Sequence, residues 1–353
     1  MRMAWIDLLA VFLLIISAIG MRPVQGDTFI NKEYLSVGTG KVLRGFFALV
    51  VIFHHLALRV TVGSLFHVFT QAGYLAVAVY FFLSGYGLQK SHMASEDYSK
   101  RFLLKRLPKI LSPYAVVTVL YWIANMCNGV VYSMGEIFAA LQNGTPIVSF
   151  SWYINCICCF YVAYWLFMSM CRKHYFGMIL CACLWLAAYI VVCRYLGRSK
   201  WWYNTPQLLI LGMIWAVYEQ KILRIIKKYY FAAVSVTATA LIAADIAKHT
   251  LETHAAFPSL TMLTAVFFVL LILLLSMKVT LTSRILSFLG KISMELYLIH
   301  GLWINVLRSE LLYIQDDSLW AFAVVGSSIV SALILHQAMT GFCKWMERCA
   351  IQT

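Results

Sequence analysis

Residues 41–59 read KVLRGFFALVVIFHHLALR. A run without charge, Gly45 to Phe53, is bracketed by Arg44 on one side and by His54, His55 and Arg59 on the other. A bilayer-spanning helix needs about 20 predominantly apolar residues, and 42–59 supplies a span of that kind with basic ends. On a helix of ~100° per residue, His55 lies eleven steps from Arg44. That is three turns plus ~20°, so the two share one face about 16 Å apart. This spacing places His55 near mid-membrane with Arg44 toward one end. His54 lies ~100° round the helix and need not face the same space.

The rest of the chain repeats this pattern. It has 353 residues, 62% hydrophobic and only 12% charged, with a mean hydropathy of +0.81. Soluble domains are about a quarter charged, so a soluble domain of any size is excluded. Hydropathy predicts spans at 42–59, 68–89, 107–127, 150–171, 175–197, 203–220, 229–247, 258–278, 284–306 and 318–342. The expected class is all-α: a polytopic ten-helix bundle, with an extra apolar stretch at 4–20 before it. Residues 1–36 form the extra helix and linker, 37–345 the membrane domain and 346–353 a tail. No internal repeat or low-complexity tract is visible.

The net charge of +14 reads as the basic excess of cytoplasmic loops rather than as a nucleic-acid surface. With the segment before 42 inside, the linkers 90–106, 171–174, 219–228 and 278–283 and the C-terminal tail are inside too. Only Arg2, Arg59, Arg194, Arg198, Lys200, Lys248 and Arg308 of the 28 Lys and Arg then fall outside. The 4–20 stretch has features of a signal peptide. Cleavage would leave Arg22, Lys32 and Lys41 outside, against this bias, so the expectation is a retained helix with its N-terminus outside. Asp7 within it has no explanation from sequence. In the outer segment 128–149, Asn143, Gly144 and Pro146 mark turns, and Glu136–Leu141 is expected to form a short interfacial helix. Eight of the ten cysteines lie between Cys127 and Cys193 in apolar runs. They read as small buried hydrophobes, without zinc spacing, and no metal site is expected.

Ionisable residues inside a span are functional candidates by default. Beside Arg44 and His55, two further groups qualify. Lys100, Arg101, Lys105, Arg106 and Lys109 crowd the inner entry to the third span, where Pro108 and Pro113 interrupt it. Anionic lipid contact explains this cluster. A phosphate held by Arg106 and Lys109 explains it equally well. The ninth span, GKISMELYLIH at 290–300, carries Ser293, Glu295, Tyr297 and His300 into an apolar helix. Glu295 and His300 lie ~140° apart on it. Ser84, Gly85 and Gly87 read first as small residues that allow close helix packing, and Trp152, Tyr153 and Asn155 as an interfacial belt.

Taken in order, these segments resemble the membrane-bound acyltransferase 3 family. The matching features are the run from Arg44 to His55, YFFLSGYGL at 80–88, KRLPKILSPY at 105–114, SWYI at 151–154, LGMIWAVYE at 211–219 and LGKISMELYLIH at 289–300. The likeness covers about residues 37–345. It implies a ten-helix core and transfer of an acyl group to envelope polysaccharide, peptidoglycan, lipid or small molecules. His55 matches the family's essential histidine and Arg44 its partner at the cytoplasmic end. Arg106 and Lys109 stand where the family often has two arginines, and the lysine weakens bidentate phosphate binding. Some members carry a glutamate where this chain has Ile157, so no role is transferred there.

The resemblance sets these expectations. Arg44, Arg106 and Lys109 guide the phosphates of an acyl-CoA co-substrate, acetyl-CoA in the simplest case, with no bound cofactor. His55 acts at the thioester as general base or transient acyl carrier. Glu295 orients a histidine or binds acceptor hydroxyls. Ser84, Tyr297 and His300 line the channel, and Trp152 offers a surface for a sugar ring. The partners are then acyl-CoA, a glycan or lipid acceptor and the bilayer of the cell membrane, and not nucleic acid. The competing reading is an exporter of a polysaccharide or lipid-linked intermediate, which shares the all-membrane architecture but leaves the Arg44–His55 alignment to chance.

Overall fold

The computed structural model describes residues 4–24, 30–100, 102–143, 147–251 and 257–352. The chain is mostly helical. Among the described residues, seven helices are long and apolar enough to cross a membrane, eight if one bent pair counts as a single span. Arg2, Arg101, Gly144 and Pro146 lie outside the described residues.

Helix α1 (Asp7–Ile19) is the extra N-terminal element. Asp7 is fully buried, and the structure accounts for it. Its carboxylate accepts the backbone N–H of Ala4 at 3.0 Å and that of Phe66 at 2.9 Å. The charge thus satisfies orphan donors at two chain turns. At the other end of α1, strand β1 (Met21–Pro23) pairs antiparallel with β2 (Val279–Leu281), with Arg22 opposite Thr280. The start of α1 therefore lies beside the segment that follows the first span, and its end beside the 278–283 linker.

Helix α2 (Val37–Ala57) begins at Ser36, whose hydroxyl accepts the Thr39 N–H. It is the central element: 67% of its apolar window is buried. A 3-10 turn, Phe66–Gln71, leads to α3 (Gly73–Ala94). Then follow α4 (Phe102–Arg106), α5 (Pro108–Cys127), α6 (Met134–Asn143), α7 (Trp152–Cys171) and α8 (Tyr175–Tyr195). Only 22% of the corresponding window is buried in α5 and in α8, so both stand at the periphery. The short helix expected at Glu136–Leu141 is α6. Ser133 and Glu136 open it as a reciprocal capping box, Glu136 Oε2 accepting from Ser133 N at 2.7 Å and Ser133 Oγ from Glu136 N at 3.2 Å.

Two predicted spans differ in form. The segments 203–220 and 229–247 fall in one helical run, α9 (Gln207–Thr250), divided by the non-helical Tyr229 (φ −126°, ψ 32°). Nothing between 219 and 228 is Gly or Pro, so helical hydrogen bonding runs through the basic linker. Glu219 meets Lys90 near the end of α3, whereas Lys248 reaches Tyr74 at its start. The chain therefore turns back at the kink. After α10 (Phe257–Ser276), the segment 284–306 is not one straight span. It is α11 (Arg284–Lys291) and α12 (Ser293–Val306), bent by 78°. The bend falls at Ile292, just after a close crossing of α11 over α2: a Cβ on Gly290 would stand 1.9 Å from Lys41 O, and one on Gly45 1.9 Å from Leu286 O. A second crossing, of α3 over α9, uses Gly85 and Gly212 in the same way, as the small residues of YFFLSGYGL suggested. Helix α13 (Asp317–Gln352) closes the chain.

Candidate active site

His54 and His55 occupy the last turn of α2. His55 therefore lies near the C-terminal end of this helix rather than at its middle. Because α2 starts at Ser36, Arg44 sits two turns into the helix. The adjacent histidines keep their rings 4.8 Å apart but take different partners. His54 Nδ1 lies 3.1 Å from Phe69 O, and its ring packs on the backbone of Gly73. No hydrogen bond joins His55 to any described residue, and its ring keeps partial exposure. Instead it stacks on Phe150, centroids 3.7 Å apart and planes 19° apart, and on His300 at 5.3 Å and 25°.

Phe150 belongs to the turn before α7 and has φ 65°, a conformation uncommon for a bulky residue. Tyr297 on α12 donates its hydroxyl to Phe150 O. His300, one turn further along α12, is fully buried. Its Nδ1 meets Leu296 O at 3.2 Å, and its Nε2 has no partner among the described residues. The structure thus brings His55, Tyr297 and His300 into one cluster. Sequence reasoning had missed Phe150, which carried no signal beyond an aromatic at a span boundary.

Glu295 points elsewhere. Its Oε1 lies 2.8 Å from His336 Nδ1 of α13, so the histidine it orients is His336 and not His55. His336 was not singled out, although an ionisable residue within the 318–342 span was a readable signal. Trp152 also departs from the cluster: it lies against Trp202, centroids 6.5 Å apart. Its neighbour Tyr153 turns inward instead, 5.5 Å from Tyr297 and 6.3 Å from Tyr80. Ser84 approaches the hydroxyls of Tyr153 and Tyr161.

Toward the start of α2, Tyr80 donates to Arg44 O at 2.7 Å, and Arg44 and Arg106 both lie within electrostatic range of Tyr161. Arg106 is half-buried and donates to Tyr98 OH at 3.0 Å, while Lys109, beyond Pro108, is exposed. Lys100 is taken up by Asp97 at 2.7 Å. That hydrogen bond holds the Asp97 carboxyl below its usual range and raises Lys100. A further hub was not anticipated. Glu219 accepts from Tyr34 at 2.7 Å and Tyr86 at 3.0 Å and pairs with Lys90 at 2.5 Å, while Trp215 donates to Tyr34 at 2.8 Å.

Two cavities of about 360 Å³ flank these elements. One, between α2 and α11, is bordered by Val42, Thr282, Arg284, Ser287 and Lys291. The other, at the opposite end, is bordered by Tyr121, Asn125, Asn128, Asn305 and Glu310. The eight cysteines from Cys127 to Cys193 are free thiols. Among the described residues no three His, Cys, Asp or Glu side chains group as metal ligands.

Apolar helices enclosing histidines, tyrosines and arginines at helix crossings define a polytopic membrane protein with ionisable groups held inside its bundle. Residues 41–337 match the family model Acyl_transf_3, described as an acyltransferase domain. The chain belongs to this acyltransferase family and is, in that general sense, a membrane acyltransferase. No curated protein and no solved structure matches it.

Proposed function

We propose that the protein moves an acyl group, acetyl from acetyl-CoA in the simplest case, to a hydroxyl of an envelope glycan or lipid, with His55 as the catalytic residue. The observation that carries this reading is the contrast within one helical turn. His54 is tied to Phe69 O, whereas His55 has no hydrogen bond to a described residue and is held by ring stacking. A catalytic imidazole needs an unengaged nitrogen and a fixed plane.

The donor enters at the end of the bundle that holds Arg44 and Arg106, which attract its phosphates. Its thioester extends about 16 Å along α2 to reach His55. As general base, His55 takes the proton of the acceptor hydroxyl while that oxygen attacks the thioester carbonyl. The new C–O bond forms, the C–S bond breaks, and the imidazolium returns its proton to the departing thiolate. As acyl carrier, the same nitrogen first attacks the thioester carbonyl, C–N forming as C–S breaks and the ring proton leaving with the CoA thiol. The acceptor hydroxyl then attacks the acyl-imidazole, C–O forms, C–N breaks and the hydroxyl proton returns to the ring. The excess of basic residues at the donor end supports a cytoplasmic donor entrance and C-terminus at the cell membrane. Glu295, paired with His336, supports α12 and α13 behind the reacting groups.

The test is labelled acetyl-CoA added to vesicles holding wild type, His55→Ala or His54→Ala at equal membrane levels. Loss of label transfer in His55→Ala with substantial transfer in His54→Ala supports the reading. Undiminished transfer by His55→Ala ends it, and carriage of an unmodified solute without transfer favours an exporter.

A further inference from the structure

The cavity of about 360 Å³ at the outer end of α5 and α12 has a lining unlike that of a lipid groove. Asn125 and Asn128 project from the last turn of α5, and Asn305 from the last turn of α12. Glu310 borders it from the following loop. Amides offer donors and acceptors side by side, which suits the paired hydroxyls of a carbohydrate. Leu302, Val130 and Ala124 supply the apolar part of the wall, as small-molecule sites require.

Some of this polar capacity is unspent. Asn128 gives its NH2 to Ala124 O at 2.8 Å, but its Oδ1 is buried and has no partner among the described residues. Tyr121 is buried, and its hydroxyl approaches Ser149 without a well-formed hydrogen bond. Buried polar groups left in this state cost free energy, and a hydroxyl-bearing ligand relieves that cost.

The charges around the cavity balance. Arg308 is bound to Asp317 at 2.5 Å and also donates to Arg59 O and Ile314 O. Arg59 donates to Asn305 Oδ1 at 3.4 Å. The lining itself carries one guanidinium, Arg308, and one carboxylate, Glu310. Such a surface gives an acidic sugar no electrostatic advantage.

The wall of the cavity is also the wall of the catalytic cluster. Asn305 donates to Ser149 Oγ at 3.2 Å, Tyr121 approaches the same serine, and the next residue, Phe150, carries the His55 stack. A ligand in the cavity lies one residue layer from His55.

We infer that this cavity binds a neutral sugar unit of the acceptor. The inference rests on the acyl-transfer reading for its purpose, but not for its measurement. Full-length protein in lipid nanodiscs is mixed with methyl β-glucopyranoside or the methyl glycoside of glucuronic acid, and binding is read by saturation-transfer NMR. Two variants accompany the wild type. Val130→Trp fills the cavity from an exposed position, and Asn125→Leu removes one amide at nearly constant volume.

The neutral glycoside is expected to bind wild type, and at least tenfold more weakly to Val130→Trp. Asn125→Leu should weaken it several-fold, with unchanged acetyl-CoA binding and unfolding temperature in both variants. Equal binding by wild type and Val130→Trp overturns the inference. So does a preference for the glucuronide, or no binding of the neutral glycoside to folded wild type. Binding that follows the expected pattern without any acyl transfer leaves the sugar site standing and removes the acyl-transfer reading alone.

Discussion

His55 stacks on Phe150 with ring centroids 3.7 Å apart, and Phe150 holds this position at φ 65°. A left-handed backbone costs a non-glycine residue about 1–2 kcal/mol, so the ring is kept at a backbone penalty. Phe150→Ala and Phe150→Gly separate the two contributions. The glycine variant is expected to be more stable than the alanine variant by about 1 kcal/mol, while both lose most acyl transfer. Thermal unfolding and a labelled-acetyl assay on the same preparations check this. Full activity in Phe150→Gly would remove the stack from the mechanism.

Tyr297 makes a related prediction. Its hydroxyl anchors Phe150 O, and removing it leaves a carbonyl without that donor, at a cost of about 1–3 kcal/mol. Tyr297→Phe should lower kcat about tenfold while the KM for acetyl-CoA stays near the wild-type value. A raised donor KM with unchanged kcat would instead place Tyr297 on the donor path.

How much of this was legible in the sequence depended on whether the signal was local. The different partners of His54 and His55 followed from 100° per residue, although their rings stay 4.8 Å apart. The packing use of Gly85 was readable because small residues in a span permit close approach. Phe150 was not, because its role arises from a backbone conformation and a tyrosine 147 positions away. The hub at Glu219 joins Tyr34, Tyr86 and Lys90 from separate elements, and no spacing rule connects those. The crossing of α11 over α2 had a local hint in Gly290, but the partner that needs it, the backbone of Lys41, lies 249 positions away. His336 was missed although the rule that picked out Glu295 applied to it equally.

The Glu295–His336 pair is mostly enclosed: the glutamate side chain is 9% and the histidine 35% exposed. A hydrogen bond to a charged group contributes about 1.5–3 kcal/mol, and the exposed edge of His336 sets the expectation at the lower end. Glu295→Gln and His336→Ala should each lower the unfolding temperature, and the double variant should lose less than the sum of the two. A double-mutant cycle in detergent-solubilised protein measures this. Strict additivity would show that the two side chains act independently, and Glu295 would return as a candidate for direct action at the reacting groups.

The crossing of α2 and α11 gives the sharpest steric prediction. A methyl group on Gly290 would stand 1.9 Å from Lys41 O and 2.7 Å from its carbonyl carbon. Neither atom can yield as a flexible side chain would, so the helices must separate. Gly87, by contrast, has nothing within 4 Å of an added Cβ. Gly290→Ala should cost at least the about 1–3 kcal/mol typical of overpacking and reduce the folded protein recovered from membranes. Gly87→Ala should be neutral or slightly stabilising, because alanine is the better helix former by about 1 kcal/mol. Because α11 also sets the 78° bend that aims α12, Gly290→Ala protein that does fold should carry a displaced His300 and transfer acyl groups poorly. Wild-type stability and transfer in Gly290→Ala would mean that α11 does not lie across α2 in this way.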